Sequence, residues 1–390
     1  MNQDRKRILE MVQEGKLSAQ EAIVLLDALE NGNSESKVIH SSAPEAGEAV
    51  TASESANASG EAGKASKKQQ SQSKDSGTGD DHFYSQIEQA GEKIFDFVNS
   101  ALKKIKDIDL QITQSVEVSH VFQQADEGVD RIDVDVANGP VRIIGWDQPE
   151  FRVECQAKVF RVEDRDEGRS YFLDNAVFSQ ENGLLCFATR SKWMRVETTV
   201  YVPKKMYKKI SARLFNGQVT GELLEGEQLA IRTSNGKVDL TGISGKKLDI
   251  DTMNGQIKGR DVNVDDIEAE TVNGMIDIAG FCRKAELKSF NGNIHCTLED
   301  TGTERLEAKA VTGNIYVNVP EAATIEGEAR SNLGSYHLDL KDVDVLQEKR
   351  EVIQKQLRFK RNGLVSQKMH LEADTKTGSV YIRETESKGE

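Results

Sequence analysis

Residues 229–278 read LAIRTSNGKVDLTGISGKKLDIDTMNGQIKGRDVNVDDIEAETVNGMIDI, and Asn-Gly returns in them every 19 residues. The copies that carry the repeat pattern are Asn138-Gly139, Asn216-Gly217, Asn235-Gly236, Asn254-Gly255, Asn273-Gly274 and Asn291-Gly292. Gly313, Gly334 and Gly378 continue the series with other residues before the glycine. A period of this length is typical of repeat architectures, in which each unit forms one structural layer.

The residues around each Asn-Gly alternate between apolar and polar. Leu248, Ile250 and Thr252 precede Asn254 at alternate positions, and the other copies follow the same pattern. This period of two predicts strands with one buried face, and small residues two positions before each Asn would let the chain approach itself closely. Asn and Gly both tolerate a positive φ, so the dipeptide predicts a sharp structural corner between strands.

Two topologies fit these corners. Asn-Gly between alternating runs is the usual signal for a type I′ β-hairpin, and a chain of such hairpins would form a meander. The fixed repeat length instead favours a mainly β, solenoid-like stack of repeats, each about 19–21 residues long, with its corners aligned. We favour the solenoid. The predicted β-repeat domain covers residues 109–386, with longer, irregular strands at 151–160 and 171–189.

Composition excludes several classes of protein. The 390-residue chain carries a formal net charge of −14, which argues against nucleic-acid binding because that requires a basic surface. Hydrophobic residues make up 37% and aromatic residues 6%, which predicts a thin repeat and linker regions. We find no signal-peptide pattern and no apolar run long enough to span a membrane, so we expect a cytoplasmic protein.

The first 31 residues predict a short helical hairpin. Ile8, Leu9 and Val12 form an apolar stripe on the first helix, and Ile23 and Leu26 form one on the second. Two such short helices bury little by themselves, so the hairpin either packs on the β domain or binds a partner. The composition of residues 32–80 predicts a disordered linker, which favours partner binding through these five apolar residues.

Residues 81–108 predict one amphipathic helix with three lysines near its end. Such a helix could cover an open end of the β stack, as terminal repeats require, or lie on a membrane surface.

A basic segment interrupts the ladder between Gly334 and Gly378. Its candidate contacts for an anionic surface are Lys349, Arg350, Lys355, Arg358, Lys360 and Arg361. The segment could bind anionic headgroups, but charged residues on an edge hairpin also prevent edge-to-edge pairing of sheets.

The chain lacks the residue patterns of common catalytic and cofactor sites. No phosphate-binding glycine loop, nucleophile elbow or His-Glu-x-x-His sequence occurs, and the six histidines are dispersed. The four cysteines are widely spaced, so we expect buried thiols rather than a metal site or disulfide. We therefore predict no catalytic residues, no cofactor and no metal.

The sequence also resembles known families. The repeat, preceded by VYVPK at residues 200–204, resembles the DUF4097 family, also called the toastrack or "putative adhesin" β repeat. ILEMVQEGKLS at residues 8–18, with Glu21-Ala22 and Leu25-Leu26, is similar to the SHOCT-like bihelical domain. Both occur together in the YvlB and LiaX group of Gram-positive bacteria.

The resemblance implies a non-enzymatic role in the cell-envelope stress response, beside membrane proteins of the phage-shock and Lia types. Members of the group are placed in the cytoplasm, at the membrane or on the surface. An adhesin-like or peripheral membrane role is the alternative that it leaves open.

Overall fold

The structure, a computed structural model, describes residues 115–351 and 354–385. The predicted helical hairpin, linker and amphipathic helix lie outside the described residues. The first strands are β1 (Ser115–Ala125), β2 (Arg131–Asn138), β3 (Val141–Trp146), β4 (Glu150–Phe160), β5 (Ala176–Glu181), β6 (Leu184–Thr189) and β7 (Met194–Pro203). A helix, α1 (Arg165–Asn175), lies between β4 and β5.

The central ladder consists of long strands that each carry one repeat. They are β8 (Tyr207–Asn216), β9 (Val219–Asn235), β10 (Val238–Asn254), β11 (Ile257–Asn273) and β12 (Ile276–Asn291). The remaining strands are β13 (Ile294–Leu298), β14 (Arg305–Thr312), β15 (Ile315–Val319), β16 (Thr324–Ser331), β17 (Tyr336–Asp339), β18 (Val343–Arg350), β19 (Lys355–Arg361), β20 (Lys368–Thr375) and β21 (Val380–Glu384).

The repeats stack as parallel coils. In the β10–β11 pair, Asn254 lies beside Asn273 and Val238 beside Ile257, so each residue neighbours the one 19 positions later. The strands before and after one Asn-Gly corner pair with neighbouring coils in the same way, which makes the fold a solenoid. The solenoid prediction is confirmed, and the alternative of a hairpin meander is wrong for the ladder.

Each coil contributes to two sheets. Strand segments that lead into a corner form the pre-corner sheet, and segments that leave it form the post-corner sheet. In order, the pre-corner sheet contains β5, β6, β2, β8, the second halves of β9–β12, β14, β20, β16, β19 and β18. The post-corner sheet contains β1, β4, β7, β3, the first halves of β9–β12, β13, β15, β21 and β17.

Inward-facing residues of both sheets form one hydrophobic cluster. Leu240, Leu248 and Ile250 of β10 are fully buried, and their counterparts in the other coils stack on them. A second bend, in the middle of each long strand, connects the two sheets. It is marked by a positive φ at Leu223, Gly242, Asp261 and Gly280, again 19 residues apart. This second column of bends was not predicted from the sequence.

The chain order and the spatial order differ at both ends of the stack. The β2–β3 coil lies between the β6–β7 coil and the β8–β9 coil. At the other end, the β20–β21 coil lies between β14–β15 and β16–β17, so Gly378 stacks between Gly313 and Gly334. The gap in the ladder therefore accommodates an antiparallel hairpin, β18–β19, on the outer side of β16.

Residues 171–175 belong to α1, so the predicted strand over 171–189 is wrong in its first part. Asp164 caps this helix: its side chain accepts hydrogen bonds from the backbone N–H groups of Asp166 and Glu167. Glu167 in turn accepts one from the N–H of Glu163, 2.7 Å away. An acidic cap with Glu three residues later is a known helix-start signal that could have identified α1.

Candidate functional site

The corner glycines form a continuous column through the stack. A Cβ atom added at each of them would lie less than 3.0 Å from a backbone carbonyl oxygen of the adjacent coil. This holds for Gly139, Gly217, Gly236, Gly255, Gly274, Gly292, Gly313, Gly378 and Gly334. The backbones of successive coils therefore approach too closely for any side chain at these positions.

The corner asparagines form a second column, connected through their side-chain amides. Asn254 donates from Nδ2 to Oδ1 of Asn235 over 2.9 Å, and Asn273 donates to Asn254 over 2.9 Å. The same bond continues from Asn235 to Asn216, from Asn216 to Asn138 and from Asn291 to Asn273. Each amide donates through its Nδ2 group and accepts through its Oδ1 atom, so every asparagine inside the row has a hydrogen-bond partner in both adjacent coils.

Hydroxyl groups two residues before the corner provide a third connection. The side chains of Thr252 and Thr271 donate to the carbonyls of Gly236 and Gly255, over 3.3 and 3.1 Å. Thr233, Ser289, Thr375 and Ser331 make the equivalent bond. From the sequence these residues were expected only to be small, whereas their hydroxyls occupy the buried side of the corner.

The outer face of the pre-corner sheet carries rows of paired charges. Asp249, Glu268, Glu286, Glu307, Glu372 and Glu328 occupy one position in successive coils. Lysines and arginines in neighbouring rows separate them: Lys247 contacts Asp249 and Glu268, and Lys288 contacts Glu270 and Glu286. These charges neutralise one another along the sheet rather than converging on a point.

The pKa values on this face follow from burial and pairing. Burial raises the pKa of Glu270, although Lys288 opposes that shift. For Glu307, burial acts upward but hydrogen bonds from Arg305 and Lys309 prevail and lower its pKa. The opposite directions at these two carboxylates agree with the one cation beside Glu270 and the two beside Glu307.

An aromatic row crosses the outer face of the post-corner sheet near its β17 end. His295, Tyr316, Tyr381 and His337 stack ring on ring, with centroids 4.5, 4.9 and 4.7 Å apart. This spacing equals the distance between neighbouring strands, so each ring packs on the ring of the adjacent coil. His295 faces outward, whereas Cys296 beside it is buried.

The predicted basic segment lies in the β18–β19 hairpin and its turn. Arg361 is only 3% exposed and donates to the carbonyls of Pro320 and Glu321. Arg350 contacts Glu348, Arg358 contacts Glu328, and Lys349 contacts Glu351. Lys355 donates to the carbonyl of Gly334, and Lys360 lies half-buried on β19. Burial thus removes Arg361 from the surface, while contact of the others with an anionic surface stays a prediction.

The four cysteines are free thiols. Cys155, Cys282 and Cys296 are buried, and Cys186 is half-buried. In residues 115–351 and 354–385, no group of three His, Cys, Asp or Glu side chains is arranged to hold a metal ion. Within the same ranges, no helix is both long and apolar enough to cross a membrane.

The candidate partner-binding residues Ile8, Leu9, Val12, Ile23 and Leu26 lie outside the described residues. Of the other predicted site residues, the structure brings the corner residues together in columns and disperses the basic ones over a hairpin.

The chain is similar to known proteins over nearly its whole length. A SHOCT-like domain matches residues 3–34. The uncharacterized protein YvlB of Bacillus subtilis is 36% identical over 385 residues, which is 98% of this chain and 99% of that protein.

Solved structures with lower similarity include a "putative adhesin" from Parabacteroides merdae, with a TM-score of 0.40 and 12% identity. That match covers 68% of this chain and 95% of the other. A "putative cell adhesion protein" from Clostridium sporogenes has a TM-score of 0.27 and 11% identity, covering 69% of this chain and 100% of the other.

The family that describes the repeat itself is Toastrack DUF4097, which matches residues 129–383. Its match covers the glycine column from Gly139 to Gly378. The chain belongs to the toastrack DUF4097 family.

Proposed function

We propose that this protein is a non-enzymatic interaction scaffold of the bacterial cell-envelope stress response. The β stack serves as a rigid platform, and the N-terminal SHOCT-like domain binds a partner. The observation that carries the proposal is the set of connections between the corners: the glycine contact at every corner, joined in the central coils by the asparagine amide and the hydroxyl bond.

A platform of this kind holds its surface at a fixed spacing. Each coil repeats about every 4.8 Å, and the corner bonds restrict changes in register. The outer charges of both sheets pair with one another, for example Arg232 with Asp251 on the pre-corner sheet and Arg260 with Asp277 on the post-corner sheet. Catalysis needs groups with perturbed pKa values that converge in a cleft, whereas a binding platform needs only an ordered surface.

The partners that we propose are envelope-stress membrane proteins of the phage-shock and Lia types. This part rests on the family resemblance and on the predicted apolar stripes of residues 1–31. A linker predicted over residues 32–80 would raise the local concentration of this domain near anything that the platform binds. We place this assembly on the cytoplasmic side of the membrane.

Co-purification from stressed cells tests the proposal. The full chain is compared with a Leu9→Asp/Leu26→Asp variant, which puts charges on the two apolar stripes, and with a Gln13→Asp/Gln20→Asp control. We expect membrane stress proteins to accompany the full chain and the control, and to be lost from the stripe variant. Equal recovery with all three proteins, or recovery with none, would contradict partner binding by this domain.

A peripheral membrane role is the alternative, and one observation favours it. The side chains of Arg350 and Arg358 remain 70% and 50% exposed on the β18–β19 hairpin despite their ion pairs. Sedimentation with anionic vesicles at low and high salt distinguishes the two functions, because surface charge attraction is screened by salt. Binding that is lost at high salt and in an Arg350→Glu/Arg358→Glu variant would support the membrane role.

A further inference from the structure

One row on the outer surface of the pre-corner sheet is apolar, although the rows beside it are polar. The row consists of the residue before each corner asparagine and before its counterpart Thr312. These residues point away from the core, because the preceding residue, such as Leu214 or Thr252, is buried. Stacked in register, they form the corner stripe: Ala137, Phe215, Ser234, Met253, Val272, Phe290 and Val311. Its six apolar side chains are half-buried, so each keeps part of its surface open to solvent.

The rows on both sides of the corner stripe are polar and are already paired. In the row two residues before it, Arg232 contacts Asp251 over 3.0 Å and Lys288 contacts Glu270 over 3.2 Å. On the other side lies the column of asparagine amides that bond to one another. The stripe is therefore an apolar track between neutralised charges and satisfied amides.

The polar member of the corner stripe is shielded from water. Ser234 lies between Phe215 and Met253 and is only 2% exposed. Its Oγ atom has no hydrogen-bond partner among the described residues. A buried hydroxyl without a partner is unfavourable, so the stripe is dry even where its sequence is polar. Contiguous apolar surface of this kind usually contacts another part of a protein or a partner.

The corner stripe matches the amphipathic helix that the sequence predicts for residues 81–108. The apolar levels of that helix are Phe83, Ile87, Ala90, Ile94, Phe97 with Val98, Ala101 and Ile105, which are seven levels for seven stripe residues. Steps of three or four residues rise roughly 4.5–6 Å in a helix, close to the spacing of about 4.8 Å between coils. Successive apolar side chains of the helix can therefore meet successive coils.

The total lengths also agree. Ala137 and Val311 are separated by six strand spacings, or roughly 29 Å. Phe83 and Ile105 would be roughly 33 Å apart in a helix. The difference is smaller than the spacing of one coil.

The position of Ser115 brings residues 81–108 to the same edge of the stack. Ser115 pairs with Phe160, whose N–H donates to the carbonyl of Trp193 over 2.9 Å. Trp193 lies in the connection between β6 and β7, which joins the two sheets at the side where the other coils have their corners. Residues 109–114 span up to roughly 20 Å when extended. A helix that ends at residue 108 can thus reach the Ala137 end of the corner stripe.

We infer that residues 81–108 dock as a helix along the corner stripe, with Ile105 beside Ala137 and Phe83 beside Val311. The helix crosses the coils on the side of the solenoid and does not cover an open end. Its apolar face packs on the stripe, while its charged face stays in solvent.

A contact within one chain can be stable on so narrow a surface. Two separate molecules lose translational and rotational freedom when they associate, and this loss requires a large interface. A connection of six residues instead holds the helix at a high local concentration beside the stripe. Packing of one apolar face on the coils also stabilises the helix itself, since most helical stability in proteins comes from such packing.

Hydrogen exchange of the full chain, measured by mass spectrometry at about 1 and about 50 μM, tests the inference. We expect residues 83–105 to be protected equally at both concentrations. A Met253→Glu/Phe290→Glu variant places two charges in the corner stripe and should raise exchange there by roughly tenfold or more. Protection of β10 to β12 in the same variant verifies that the coils remain folded.

Val121→Glu/Val345→Glu is the matched control. It adds the same charge at two valines that are 48% and 56% exposed and lie outside the corner stripe. We expect it to leave the protection of residues 83–105 unchanged.

Cysteine pairs test the direction of the helix in a Cys186→Ser background. Ala101→Cys/Phe215→Cys should form a disulfide on mild oxidation, because this pair lies side by side in the proposed contact. Phe83→Cys/Phe215→Cys should not, since Phe83 would lie at the other end of the stripe. Equal crosslinking of the two pairs would overturn the inference.

Rapid exchange throughout residues 83–105 of the parent protein would also overturn it. So would protection that persists in the Met253→Glu/Phe290→Glu variant, because the segment would then pack on another surface. Protection that appears only at the higher concentration would assign the segment to self-association. Protection that appears only with phosphatidylglycerol vesicles would assign it to a membrane surface, and either result would contradict docking on the stripe.

Discussion

At the scale of single residues, the corner glycines are selected by space more than by backbone angle. Gly139, Gly217, Gly292 and Gly313 have a positive φ, but Gly236, Gly255 and Gly274 are not among the positive-φ residues, nor are the ladder asparagines. All of these glycines nevertheless approach a carbonyl of the adjacent coil. The expected glycine requirement is present, but its common cause is the close approach of the adjacent coil, since only some of these glycines have the expected positive φ.

Gly255→Ala should destabilise the protein by about 3 kcal/mol, because the new Cβ would overlap the carbonyl of Gly236 and displace a coil. Urea unfolding measures the loss. Gly128→Ala is the control, since a Cβ there meets nothing within 4 Å and only its φ of 83° is unfavourable. We expect about 1 kcal/mol for the control. Equal losses at the two sites would contradict a steric cause.

The buried thiols should make stability depend on alkaline pH. Burial raises the pKa of Cys155 and of Cys282 to about 12, above the value of about 8.5 for an unfolded thiol. The unfolded chain therefore releases these protons first, and stability present below about pH 8.5 declines as the pH rises toward 12. The upper limit is about 1.4 kcal/mol per pH unit for each thiol.

Urea unfolding between about pH 8 and pH 10.5 measures this decline. A Cys155→Ser/Cys282→Ser variant should lose less stability over that range than the parent protein. The same dependence in both proteins would show that other groups cause it. Thiol reagents at neutral pH should also react slowly with the native protein and rapidly in urea.

At the scale of elements, one dipeptide serves two structural purposes. Asn182-Gly183 connects the antiparallel strands β5 and β6, and both residues have a positive φ, 51° and 74°. This is the type I′ hairpin that the dipeptide usually predicts. The ladder asparagines instead pair in parallel with the next coil. Only the 19-residue period separates the two uses in the sequence.

The parts of the fold that follow from alternation and from the repeat period were predictable, and the other parts were not. Core positions such as Leu248 and Ile250 follow from alternation, and stacking follows from the period. The exchange of coil order at Gly378 could not be predicted, because its repeat has the same pattern as its neighbours. The second bend was hidden for another reason: its residues Leu223, Gly242, Asp261 and Gly280 share no side-chain type, and leucine seldom adopts a positive φ.

The helix that covers the β1 end should be required for stability. Phe172→Ala removes a fully buried ring of α1 and should cost about 3–5 kcal/mol. Leu173→Ala, at the adjacent and 39% exposed position, is the control and should cost much less. Urea unfolding measures both variants. Similar losses would indicate that α1 contributes through its own helical stability and not through packing.

At the scale of the whole molecule, protection against unfolding should vary along the stack. Coils β9 to β12 are paired on both sides, whereas nearly all of β18 is exposed and it pairs only with β19 among the described strands. Local unfolding of a linear stack begins at its ends, where a strand breaks contacts with the fewest neighbouring strands. Hydrogen exchange should therefore be slowest in β10 and β11 and fastest in β18 and β19. Uniform exchange would indicate a single cooperative unit.

The corner columns also affect how the protein ages chemically. Asn-Gly is the dipeptide most prone to deamidation, which begins when the glycine nitrogen attacks the preceding side-chain amide. In the ladder that nitrogen is occupied: the N–H of Gly255 donates to the carbonyl of Asn273, and the N–H of Gly236 donates to that of Asn254, each over 3.0 Å. The amide itself is held between two neighbours.

Peptide mapping after prolonged storage should therefore find aspartate and isoaspartate at Asn182, on its hairpin turn, before any ladder position. Early deamidation at Asn254 would show that the coils separate far more often than their hydrogen bonds imply. A sequence that looks chemically fragile at every repeat would thus encode a long-lived protein, because the bonds that align the coils also block the reaction that would degrade them.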